Sequence, residues 1–142
     1  LEKTFSDANP DPKKIEEAAY KHIEAFYIGW KNNYPWAFKE DSKYSVMKAG
    51  PTQIMMGVLA AMIEKKDRIG LKSLTDSQVW QKQFAENFSH LEDTNSAQPP
   101  VKVTAINIFK EGKDGSIGDY SNEKAKKAMT DKIYMALSGM QV

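Results

Sequence analysis

Residues 51–68, PTQIMMGVLAAMIEKKDR, decide the fold. Between Ile54 and Ile63 every residue is apolar or glycine. A helix that is apolar on nearly every side lies buried between neighbours. The run is only half of the roughly 20 residues that a membrane-spanning helix needs. It therefore predicts the central helix of a protein core and no membrane span. Pro51 suits the first helical turn, where its missing N–H is not needed. Gly70 is the expected stop, and Glu64–Arg68 turn charged where the helix must reach water. Gly57, Ala60 and Ala61 are small enough to let neighbouring helices come close.

Outward from this stretch, the flanking segments supply the amphipathic partners that such a helix requires. Upstream, Asp11 is a good N-cap and Pro12 a good first residue. Ile15, Ala19, His22, Phe26 and Trp30 then recur every three or four residues and share one face. That helix should end near Asn32-Asn33, because the residue before Pro35 avoids helical angles. Residues 31–50 show no clear period and predict an irregular connection with a short helical turn.

Downstream, Thr75 and Gln78 read as a capping box, with Leu74 and Val79 as its hydrophobic staple. Trp80, Phe84, Phe88 and Leu91 follow as a buried stripe, with His90 off it in the last turn. Residues 92–100, EDTNSAQPP, read as a linker. Val101–Phe109 is β-branched and reads as a strand whose alternation shifts parity at Ile106, as a bulge would cause. A lone strand leaves its backbone groups unpaired. Its partner is expected from residues 36–48, from residues 116–120 or from another chain. Gly112–Gly118 reads as a turn. A last helix over residues 122–138 carries Ala125, Met129, Ile133, Ala136 and Met140 on one face. The expected architecture is mainly α: four principal helices packed as a bundle around the central apolar helix, with one short β element before the last helix. Residues 1–10 are expected to form a flexible tether and residues 11–142 a single helical domain.

Composition narrows the chemistry. The length of 142 residues suits one domain. Basic and acidic residues nearly cancel, 20 against 19, so the basic excess of a nucleic-acid binder is missing. Cysteine is absent, which excludes disulfides, thiolate nucleophiles, iron–sulfur clusters and Cys-ligated zinc. The chain begins Leu1-Glu2, and residues 4–12, TFSDANPDP, resemble the tether that follows a removed signal or lipid anchor. The balance leans toward export.

No catalytic or cofactor motif stands out, and no metal is expected. His22 and His90 have no zinc spacing. The adjacent acids Glu16/Glu17, Glu40/Asp41 and Glu92/Asp93 read as solvated. Gly112–Gly118 follows a strand and precedes a helix but lacks the phosphate-wrapping glycine–lysine pattern, and residues 110–121 put a lysine at the first ligand position of a calcium loop. Lys124, Lys126 and Lys127 oppose the dipole of the last helix, a small cost that an anionic partner would offset, and read as a solvated face.

Aromatic residues are the uneven feature. Of 15 in the chain, seven fall between residues 26 and 44. Large rings on a connection carry contact area at low entropic cost. The first functional expectation is a non-catalytic interaction module that uses residues 30–44, with Trp30, Tyr34, Trp36, Phe38 and Tyr44 as contact residues and a protein as partner. The second is a carrier for a small apolar ligand held among the Met-rich second and fourth principal helices, with His22 or a tyrosine as the polar contact. A hydrolase-type enzyme with His22 in a cleft ranks third.

Overall fold

The computed structural model describes residues 11–140. The expected N-terminal tether, residues 1–10, lies outside the described residues. The fold is mainly α. Helix α1 spans Pro12–Asn33, α2 Ala49–Glu64, α3 Lys66–Ile69, α4 Ser77–Asn87 and α5 Glu123–Leu137. A two-stranded antiparallel sheet, β1 Glu92–Thr94 and β2 Lys102–Thr104, precedes α5. Short 3-10 turns fill the connections.

The helix ends follow local chemistry. Asp11 caps α1 by accepting from Lys13 N–H, with Pro12 in the first turn. Helix α2 starts two residues before Pro51, and the last turn of the expected helix breaks off at Lys65 as the short α3. Gly70 ends α3 in the left-handed region, with φ at 85°, where a side chain is strained. The cap of α4 is Asp76, not Thr75: its carboxylate accepts from Gln78 N–H at 2.9 Å. The expected capping box is therefore not formed, because the third residue after Asp76 is Val79, which has no side-chain acceptor to return to the cap. A carboxylate one position closer to Gln78 outcompetes the threonine hydroxyl at the positive end of the helix. Asn122 caps α5 through Ala125 N–H.

Packing proceeds in two helix pairs, α1 against α4 and α2 against α5. Gly29 makes the first crossing close, since a Cβ there would lie 2.6 Å from the Gln81 backbone nitrogen. Gly57 does the same for the second, where a Cβ would lie 2.9 Å from Thr130 Cγ2. Ile54, Met55, Val58, Leu59 and Met62 of α2 are buried, as its apolar run demands. They join Phe26, Trp30, Trp80, Phe84, Met129 and Ile133 in a core that reaches all four principal helices.

The β element differs from the expectation. Only Lys102–Thr104 is strand, and Ala105–Phe109 winds into a 3-10 turn. Ala105, with φ at 51°, breaks the extended run and causes the parity shift. The strand partner comes from residues 92–94, inside the stretch read as a linker. Residues 36–48 do contribute, through a single bridge between Tyr44 and Lys110.

Candidate functional site

Tyr34 leaves α1 and Pro35–Phe38 turns once as a 3-10 helix. The turn is fastened at each side of its tip. Ala37 is buried, and Ser42 Oγ–H donates to its carbonyl at 2.9 Å. Phe38 meets Trp30 edge to face at 5.0 Å between centroids. Tyr34 leans on Phe88 at 5.7 Å and touches Trp36 edge to face at the same separation. Burial raises the Tyr34 phenol pKa. The tip residue, Trp36, keeps 51% of its surface in water.

The expected contact residues therefore divide. Trp36 is exposed and Tyr34 half-buried beside it. Trp30 has no exposed surface, which corrects its expected contact role. Its ring fills the centre of an aromatic nest with Phe84, Phe38 and Phe109. The helical period that put Trp30 on the α1 stripe thus outranks its nearness to the connection. Phe38 is half-buried and Tyr44 is tied down: its hydroxyl donates to Asn107 Oδ1 at 3.1 Å, and Lys110 lies over its ring. Both support the turn from below.

His22 is half-buried on α1, and its Nδ1–H donates to the Ala18 carbonyl at 2.7 Å. A carbonyl can only accept, so this bond fixes the proton on Nδ1. Two grooves among the described residues are lined by other residues. One, about 770 Å³ and open to water, runs between β1 and the end of α5, past His90, Glu92, Lys132, Met135 and Met140. Among the described residues no group of His, Asp and Glu is placed to hold a metal ion, and no helix is long and apolar enough to cross a membrane.

One polar constellation escaped the sequence reading. Asp93, expected as a solvated acid, is buried. Its carboxylate accepts from the Tyr120 hydroxyl at 2.7 Å and from Lys132 Nζ at 2.9 Å. Burial pushes its pKa up, but the bonds from Lys132 and Tyr120, with Ser116 pulling the same way, hold it below the ordinary 3.8. Burial and the adjacent carboxylate push the Tyr120 phenol well above the usual range. The signal was a period of two hidden by polarity: Leu91, Asp93 and Asn95 all face inward while Glu92, Thr94 and Ser96 face water. With one carboxylate oxygen taken by Tyr120 and the other by Lys132, the trio fastens β1 to α5. Compared with protein-family models, curated proteins and solved structures, the chain gives no significant match.

Proposed function

We propose that this chain is a non-catalytic interaction module, and that its contact surface is the aromatic corner formed by Tyr34 and Trp36. One observation carries the reading: Trp36 stands half in water at the tip of a turn whose flanking residues are locked into the core. Tryptophan and tyrosine dominate the binding energy of protein interfaces. A ring presented on a rigid turn loses little freedom when a partner closes over it, so more of the contact energy appears as affinity. The partner is a protein surface with an apolar pocket for the indole.

Less supports the other two readings. The carrier needs space among the methionines of the bundle, yet Met55, Met62 and Met129 are fully buried in the core cluster. The hydrolase needs a histidine facing a cleft, yet one ring nitrogen of His22 is engaged with its own helix.

A photo-crosslinking amino acid placed at position 36 tests the proposal in extract of the cells that make the protein. A discrete crosslinked protein is expected from position 36 and not from Lys82, an exposed site on α4. It should be competed by unlabelled wild type and not by Trp36→Ala. Equal crosslinking from both positions, or equal competition, refutes the reading.

A further inference from the structure

We infer that a second groove, on the face made by the start of α2, the 110–121 loop and the first turn of α5, binds the phosphoryl group of a small soluble molecule. The groove has a volume of about 430 Å³ and three lysines in its lining, Lys48, Lys110 and Lys126, against one acid, Glu111. They arrive from three separate places in the chain: the residue before α2, the residue after the 3-10 turn Ala105–Phe109, and α5.

Two of these lysines, Lys126 and Lys110, are held in place, while Lys48 lies mostly in water. Only 19% of the Lys126 side chain is exposed, and its Nζ–H donates to Gln53 Oε1 at 3.0 Å. Its stem crosses the first turn of α2: a Cβ at Gly50 would lie 4.0 Å from Lys126 Cε. Lys110 is half-buried, its ammonium 5.9 Å from the centre of the Tyr44 ring. Lys48 pairs with Glu111 at 2.7 Å. Lys126 also reaches Glu123 at 3.8 Å, but that carboxylate is 82% exposed and its pull is screened by water. The lining thus keeps an excess of two positive charges, three lysines less one glutamate. That excess matches the charge of a phosphate monoester, about −1.5 to −2 at pH 7. A carboxylate would neutralise half of it.

The α2 end adds to the mismatch. Lys48 occupies the N-cap without a side-chain cap bond, and the first turn holds no acid. Two cations therefore sit at the positive end of a helix dipole, where an anion is favoured. The rest of the lining leaves room. Gly112 and Gly118 face open space where a Cβ would stand, and Pro51 and Ile117 give an apolar floor. In this reading the phosphoryl oxygens face the lysines and the ester carbon rests on that floor.

Titration of the whole chain with inorganic phosphate, at constant ionic strength set by chloride and followed by amide NMR, tests the site. Saturable shifts are expected at Gly50, Gly112 and Gly118. Lys126→Gln and, separately, Lys110→Gln should each weaken binding about tenfold, the effect of one charged hydrogen bond. Lys82→Gln, on the exposed face of α4, should leave affinity unchanged. Melts of each variant, followed by circular dichroism, check that it is folded. Shifts that never saturate, or that fall alike in Lys110→Gln and Lys82→Gln, overturn the site. Sedimentation with phosphatidic acid vesicles without phosphate binding also overturns it, since the groove would then serve a membrane surface.

Discussion

The α1–α4 half of the molecule and the 91–121 segment hold their shape by different means. In the first, apolar surface does the holding. Phe26, Trp30, Trp80, Phe84 and Phe88 interlock with no exposed surface, and Phe26 meets Trp80 edge to face at 5.1 Å. Burial outweighs a local defect there, since Trp30 Nε1 is enclosed without an acceptor. The second contains two three-residue strands and three 3-10 turns, so few backbone groups pair in ladders. Side chains substitute for the missing ladder. Asn95 Nδ2 donates to the Lys113 and Gly115 carbonyls, and its Oδ1 accepts from Ala97 and Val101 N–H. Apolar packing is non-directional and tolerates an imperfect polar atom. A polar lattice is directional, and each lost partner strands another.

The largest effect belongs to the aromatic half. Phe84→Ala removes a fully buried ring that touches Phe26, Trp30 and Phe88. It should cost about 3–5 kcal/mol in chemical denaturation. A near-neutral result would mean that this half is not held by ring packing. Gly29→Ala comes next. Its Cβ would meet the Gln81 backbone nitrogen at 2.6 Å and Trp80 Cβ at 2.7 Å, and backbone yields less readily than a side-chain tip. Overpacking of this kind costs roughly 1–3 kcal/mol, and a loss near the upper end is expected. Gly57→Ala serves as its counterpart: the clash at 2.9 Å is with a threonine methyl, so the loss should be smaller.

The polar segment is probed at Asp93. Asp93→Asn keeps the shape and removes the charge that Lys132 and Tyr120 address. A cost of about 1–2 kcal/mol at neutral pH is expected, toward the low end for bonds to a charged group because Lys132 is partly in water. The pH dependence gives a sharper test. The Asp93 carboxyl is depressed below 3.8 in the folded state. Its contribution is therefore present above about that pH and lost as pH falls through the folded value. Asp93→Asn should flatten the acid limb of a stability–pH curve. The Tyr120 phenol is raised from 10.0, so its contribution holds below that value and is lost as pH rises through the folded one. Tyr120→Phe should flatten the alkaline limb and weaken the acid limb only in part, because Lys132 still holds the Asp93 carboxyl down. If neither limb changes, the trio is not the clamp between β1 and α5.

The same division explains what was legible in the sequence. Apolar periodicity located α1, α4 and α5, and the run Ile54–Ile63 located the buried helix, because those elements are defined by what they hide from water. Gly57 was readable as a close-approach position because it stands in an apolar run, whereas Gly29, between Ile28 and Trp30, carried no such marker. In the 91–121 segment Ile108 and Phe109 are buried as their apolar character predicts, but Asp93, Asn95 and Ser116 also turn inward, and these read as loop residues on any hydrophobic scale. Their burial depends on partners 18 to 39 residues away, such as Lys113 for Asn95 and Lys132 for Asp93. The lysine groove was half legible. The unfavourable placement of Lys126 at a helix start showed in sequence, but its convergence with Lys48 and Lys110 exists only in the fold.

Trp36 is where the comparison meets function, and its predicted effect on stability is the smallest. It belongs to the aromatic half by sequence, yet it contributes little to that half's packing: among the described residues its ring meets Tyr34, and half of its surface already lies in water. Trp36→Ala should therefore cost less than about 1 kcal/mol, as surface changes do, while abolishing competition in the crosslinking assay. Trp30, six residues earlier, is the opposite case: truncating it to alanine should cost about 3–5 kcal/mol. The two substitutions remove the same side chain, so a difference of several kcal/mol between them measures burial alone. If Trp36→Ala destabilised the protein as much as Trp30→Ala, the ring would be serving the core, and the aromatic corner would have no indole to offer a partner.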